Sequence, residues 1–149
     1  VTRYALEVPD PPLSVPRYGK FTVRGELYAF NEHAPKSQRI AAAQLRRIQP
    51  ECHLLSFVAF QILNSQNDHK DNLKELTKLD FRVVPYVEAN TYDEIKKCHN
   101  DWLDGRFFES NYFTFLPTDG IVVKINSRSI QKQLGQSKRC PHWAVALKG

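Results

Sequence analysis

Three stretches of this 149-residue chain each set a charged side chain into a strand-like run. In "FTVRGELYAF" Arg24 and Glu26 alternate with less polar residues, in "TDGIVVKINS" Lys124 interrupts an apolar run, and in "CPHWAVALK" Lys148 follows Ala144 and Ala146. Taken singly, each is explained by a solvated charge on the outer face of a sheet. Taken together, two ammonium groups and a carboxylate beside small residues describe a cleft for a nucleotide, with cations for its phosphates and Glu26 to accept from ribose hydroxyls. Asp119 lies five residues before Lys124. Strict alternation puts those two on opposite faces, so they share a cleft only if Asp119 sits in the turn, where Gly120 relaxes the backbone. In "SQRIAAAQLRRI" Arg39 and Arg46 are seven residues apart, two helical turns less about 20°, so both project from one face. Arg47 is rotated from them by about 100°. Such a pair suits phosphate recognition, and an exposed basic helix face explains it equally well.

These side chains need elements to hold them. "KFTVRGELYAF" alternates as a half-buried strand, with Phe21, Val23, Gly25 and Leu27 on one face and Thr22, Arg24, Glu26 and Tyr28 on the other. "SQRIAAAQLRRI" reads as a helix with Ser37 near its N-cap, and "LLSFVAFQIL" as a buried strand. "NDHKDNLKELTKL" has helical spacing through Leu73, Leu76 and Leu79, and "FRVVPYV" is expected as a short strand. "TYDEIKKCHNDWLDG" opens with a capping-box pattern at Thr91 and Glu94 and carries an apolar stripe of Ile95, Cys98 and Trp102. "DGIVVKIN" is a strand, and "SIQKQLG" a short helix with Gly135 where a C-terminal cap belongs. "HWAVALK" alternates, placing Trp143, Val145 and Leu147 opposite Ala144, Ala146 and Lys148. Four prolines in the first twenty residues leave room for little more than a short strand near Arg3 to Val8. The elements describe an α+β protein with antiparallel or mixed strands and three or four helices.

Bulk composition narrows the class. A hydrophobic share of 42% and a charged share of 25% are those of an ordinary globular chain, and no apolar run is long enough to cross a bilayer. A net charge of +5 leans towards anionic partners such as phosphates or nucleic acid. Cys52, Cys98 and Cys140 are odd in number, widely spaced and without CxxC or histidine-rich companions, so reduced thiols are expected and no metal site is assigned. The chain opens on "VTRYALEV", contains no methionine and stops at "VALKG" directly after a strand-like run, so both ends are expected to be cut.

In order and approximate spacing, "FTVRGELYAF", "RIAAAQLRRIQP", "TDGIVVKINS" and "CPHWAVALK" resemble the adenylation domain of NAD-dependent DNA ligases. "QKQLGQSKRCPHWAVALK" also looks like that family's segment between its last two nucleotidyltransferase motifs. The resemblance runs from about Arg3 to Lys148; "DGIVVK" alone says little, whereas four motifs in register are specific. It implies that residues 1–149 are one partial adenylation domain with part of an ATP-grasp-like nucleotidyltransferase core. It further implies NAD as the adenylyl donor, Mg2+ for the full enzyme, nicked double-stranded DNA as the partner, and a monomer acting in the cytoplasm. In the family a lysine attacks the α-phosphorus of NAD to form lysyl-AMP. AMP then passes to the 5′-phosphate of a nick, and the adjacent 3′-hydroxyl displaces it.

Carried over by position, the resemblance assigns Glu26 to the adenosine ribose, Lys124 and Lys148 to AMP or its phosphate, and Asp119 to the acidic residue opening the "DG-apolar-K" motif. Arg39 matches the first arginine of the arginine-alanine-rich helix, and the two-turn geometry favours Arg46 over Arg47 for the second. There are departures. Arg106 lies too far upstream to match the family's arginine before "LP...DG", and Gly149 stands where the family has an aromatic residue. The family's nucleophile belongs to a K-x-D-G motif that this chain lacks; "KLDF", Lys78 to Phe81, has no glycine and is read as the end of a surface helix. Two other readings stay open: a catalytically dead ligase-like scaffold or nucleic-acid-binding module, and a relative of ATP-dependent ligases or RNA-capping enzymes.

Overall fold

The computed structural model describes residues 21–29, 55–108, 113 and 116–149. The expected strand near Arg3 and the helix carrying Arg39, Arg46 and Arg47 lie outside the described residues, as does Cys52. The chain forms two compact units, Val1–Val84 and Pro85–Gly149.

The first unit is built on strands β1 (Thr22–Ala29) and β2 (Leu55–Leu63), paired antiparallel. Thr22, Arg24 and Glu26 are exposed while Val23, Gly25 and Leu27 are half-buried, as the alternation predicts. Tyr28 stays on the face of Glu26 but is not exposed there. It is buried, and its phenol oxygen accepts a hydrogen bond from Arg82 Nη1 at 2.9 Å, which satisfies the hydroxyl away from water. The register shifts between Arg24 and Gly25, whose partners are Gln61 and Ala59, so β2 carries Phe60 as an extra residue. That bulge sets Ile62 and Ala59 on one face although they are three residues apart.

Helix α1 (His69–Lys78) covers this face. Ala59, Ile62, Leu73 and Leu76 are its buried centre, with Phe21, Val23, Phe57, Phe81 and Val83 packed around them. Asn72 is buried as well, and its side-chain oxygen accepts from Ser65 Oγ at 2.8 Å. Lys78 closes the helix, and Asp80 turns the chain away at φ 66°, so "KLDF" is a helix end as read. The strand expected at "FRVVPYV" shrinks to a single parallel bridge between Ala59 and Val83, with Ala59 N–H donating to Arg82 O and Val84 N–H to Ala59 O. Pro85 limits the strand, since its ring fixes φ near about −65°, away from the roughly −120° of a parallel strand.

In the second unit, helix α2 (Tyr92–Leu103) starts with the expected capping box: Glu94 N–H donates to Thr91 Oγ1 at 3.2 Å, and Thr91 N–H to Glu94 Oε2 at 3.3 Å. Ile95, Cys98 and Trp102 are half-buried. Strand β3 (Gly120–Lys124), helix α3 (Arg128–Leu134) and strand β4 (Ala144–Lys148) follow. The chain between the strands returns by a short route. Ser127 caps α3, buried Gln131 donates from Nε2 to Ile125 O at 2.6 Å, and Gly135 takes the positive φ of 69° that ends the helix. Ile125 N–H donates to Trp143 O, extending the β3–β4 ladder past its last pair. The architecture is thus α+β with small antiparallel sheets, and none of the helices among the described residues is long and apolar enough to cross a membrane.

Leu76 is fully buried and Lys74 exposed on the same helix. Leu76→Ala is expected to cost about 2–5 kcal/mol of stability, and Lys74→Ala no more than about 0.5 kcal/mol, measured by urea denaturation followed by circular dichroism.

Candidate functional site

Strands β3 and β4 pair antiparallel with Gly120 opposite Lys148, Val122 opposite Ala146, and Lys124 opposite Ala144. Directly opposed residues of an antiparallel ladder point to the same face, and that face changes with every residue along each strand. Gly120, Val122, Lys124, Ala144, Ala146 and Lys148 therefore share one face, while Ile121, Val123, Val145 and Leu147 share the other. The two lysines sit at opposite ends of the same face, about 14 Å apart along the strands at about 3.4 Å per residue. Between them lie only Val122 and two alanines. Val122 is exposed although apolar, at 59% of its surface, so the strip between the lysines is an open floor flanked by positive charge.

Asp119 joins this face from the turn, as the spacing requires. It immediately precedes β3, and its Oδ2 accepts from Lys148 Nζ at 2.9 Å. Both side chains are well exposed. The hydrogen bond from Lys148 holds the Asp119 carboxyl below the usual aspartate range, and the attraction of the same ammonium lowers it further. Gly120 is needed for a reason the sequence did not suggest. It is not among the residues with positive φ; instead, a Cβ there would collide with the Leu147 carbonyl oxygen and come within 3.1 Å of Lys148 Cα. Glycine lets the two backbones close up at the end where Asp119 meets Lys148.

Helix α2 touches the same region twice. Trp102 Nε1 donates to Thr118 Oγ1 at 2.9 Å, and His99 Nε2 lies 3.1 Å from the Lys148 carbonyl oxygen. The sequence placed Trp102 in an apolar stripe and gave His99 and Thr118 no part. A tryptophan and a histidine three residues apart on one helix, both with polar edges, was the available signal. Val122 was likewise missed, because an apolar strand residue normally reads as core.

Glu26 lies in the first unit, exposed on β1 opposite Val58. Arg39 and Arg46 are outside the described residues. Cations dominate the end of the chain: from Gly120 to Gly149 it has Lys124, Arg128, Lys132, Lys138, Arg139 and Lys148, and no Asp or Glu. Among the described residues no group of three or more histidine, cysteine or acidic side chains is placed to hold a metal ion.

The family description for the NAD-dependent DNA ligase adenylation domain matches residues 17–149. The chain is 28% identical over 170 residues to a DNA ligase of Halothermothrix orenii, covering 99% of this chain and 25% of that protein. A DNA ligase of Wigglesworthia glossinidia brevipalpis is 33% identical over 180 residues, covering 99% of this chain and 29% of the relative. One from Cytophaga hutchinsonii is 31% identical over 153 residues, covering 87% and 22%. The chain thus spans about a quarter of the length of these relatives.

A carboxyl whose folded pKa is depressed contributes stability above its unfolded pKa, and that contribution is lost as pH falls through the folded value. The Asp119–Lys148 contact is therefore expected to hold through neutral pH and to open only in acid below the ordinary aspartate range. An NMR titration of the Asp119 carboxyl should show a lower midpoint in the natural chain than in Lys148→Ala; equal midpoints would mean the contact does not hold in solution.

Proposed function

Because the chain belongs to the family of NAD-dependent DNA ligase adenylation domains, we propose that it supplies the phosphate-facing part of a nucleotide site in a ligase that seals nicked double-stranded DNA. The observation carrying this reading is the shared face of Lys124 and Lys148, with Val122, Ala144 and Ala146 leaving the ground between them low. Two ammonium groups held by one rigid ladder suit a phosphoryl group with a flat nucleoside beside it.

NAD supplies the adenylyl group that such a ligase transfers. The residues of this chain bind and orient it. Lys148, drawn towards the turn by Asp119, and Lys124 at the far end of the ladder neutralise charge that builds on the phosphate oxygens. Because their backbone is already ordered, little reorganisation accompanies each displacement at phosphorus. Asp119 keeps the Lys148 ammonium oriented while no phosphate is present. In this reading the Glu26 carboxylate is suited to accept from ribose hydroxyls, and Arg39 and Arg46 are suited to phosphate. The whole forms part of a nucleotidyltransferase core. Mg2+, when bound, would be held by one or two carboxylates together with substrate phosphates, as is usual for that ion. The ligase acts as an intracellular monomer.

A second reading is a ligase-like module that binds nucleic acid without chemistry of its own; the 149 residues hold no K-x-D-G motif. One measurement tests for the nucleophile, and a second separates the readings. Incubated alone with adenylate-labelled NAD and magnesium, this chain is expected to give no labelled band on a denaturing gel; a band would show that it holds the nucleophile. In a ligase containing this chain, Lys124→Ala or Lys148→Ala is expected to slow nick sealing by about 10²–10³-fold, the cost of removing one preorganised charge-stabilising group. Sealing at the natural rate in both variants, or none in the unaltered ligase, would overturn the first reading.

A further inference from the structure

We propose that Trp102 and His99 are positioning residues that fix both halves of the Asp119–Lys148 pair from one face of α2; their effect on nucleotide binding rests on the reading of Lys148 as a phosphate contact. Asp119 and Lys148 come from positions 29 residues apart and meet at exposed ends of their elements. An exposed ion pair between mobile side chains gains little, because holding it in one geometry costs conformational entropy. Here the backbone on each side of the pair is tied down. The Trp102 indole N–H donates to Thr118, the residue bonded to Asp119, so the turn is held at its base. A backbone carbonyl can only accept, so the Lys148 carbonyl requires the hydrogen on His99 Nε2, and that contact holds the end of β4.

The two clamps act together. The His99 and Trp102 rings lie nearly parallel, 6° apart, with centroids 6.0 Å from each other. The chain past Lys148 runs directly against the indole: a Cβ on Gly149 would lie 3.3 Å from the Trp102 ring. A single helix thus sets the separation of a carboxylate and an ammonium that have no covalent reason to stay in register.

The test uses this chain with Trp102→Phe, which keeps the stacked ring and loses the donor, and Thr118→Val, which loses the acceptor. His99→Leu removes the second clamp. Thr118→Ser and His99→Gln keep the hydrogen-bonding groups and are expected to behave as the natural chain. In the three disruptive variants the Asp119 carboxyl is expected to titrate closer to the ordinary aspartate range. AMP affinity, followed by ligand-observed NMR, is expected to fall about three- to tenfold, the loss of one hydrogen bond. Adenosine affinity is expected to stay unchanged, since only the phosphate end is disturbed, and the thermal midpoint to fall by no more than the few degrees that one hydrogen bond is worth. If Trp102→Phe and Thr118→Val leave the Asp119 titration where it was, the clamp is wrong. Equal loss of AMP affinity, adenosine affinity and thermal midpoint would also overturn it, by showing a purely structural role. Should the Asp119 titration shift while Lys148→Ala leaves AMP binding unchanged, the clamp is supported and the phosphate reading of Lys148 falls.

Discussion

The pairing of Gly120 with Lys148 and of Lys124 with Ala144 governs the chemistry of the second unit. Side chains alternate along a strand with a period of two, so a register slip of one residue would move one lysine to the opposite face. Nothing in the lysines themselves prevents such a slip. What prevents it is the backbone around them: Gly120, the one residue type that lets β3 approach the Leu147 carbonyl, and the further Ile125–Trp143 hydrogen bond that carries the ladder towards the α3 connection. The positions of the charges follow from steric facts about residues that carry none.

Electrostatics then act on that geometry. The last thirty residues hold six cations and no acidic side chain, so the acidic partner of Lys148 comes from before them, Asp119 at the entrance to β3. An exposed ion pair of this kind adds little to folding. Its consequence is orientation: an ammonium on a flexible four-carbon stem is kept close to the turn and away from the many directions open to it. Lysine is suited to this because it behaves as a compact point charge that rotates its donors towards whichever oxygen is nearest.

Much of this was legible in the residues. The alternation in "FTVRGELYAF" and "HWAVALK", the Thr91–Glu94 box, and the leucine spacing of α1 each rest on local rules, and local rules survive folding. Where sequence reasoning fell short, a tertiary neighbour decided the outcome. Tyr28 is buried on the face expected to be polar, where Arg82, far along the chain, gives its hydroxyl a partner. "FRVVPYV" has strand-forming residues, but Pro85 fixes φ away from the value of a parallel strand. Gly120 looked like a turn residue and is a contact residue. The convergence of Asp119 and Lys148 was readable only as a condition on the turn, and the roles of Trp102 and His99 could not be read at all, since a helix does not announce which loop it will meet. Arg39 and Arg46 lie outside the described residues.

The bulge in β2 has a bearing on how this strand can change in length. Its nine residues face eight in β1, and Phe60 is the surplus one. Removing Phe60 would leave every other cross-strand partnership intact and turn an irregular ribbon into a regular one. Removing Phe57 or Val58 instead would force Phe60 into the ladder and swap which side chains meet α1. The strand therefore has one site at which a codon can be lost without scrambling the inside and outside of the sheet.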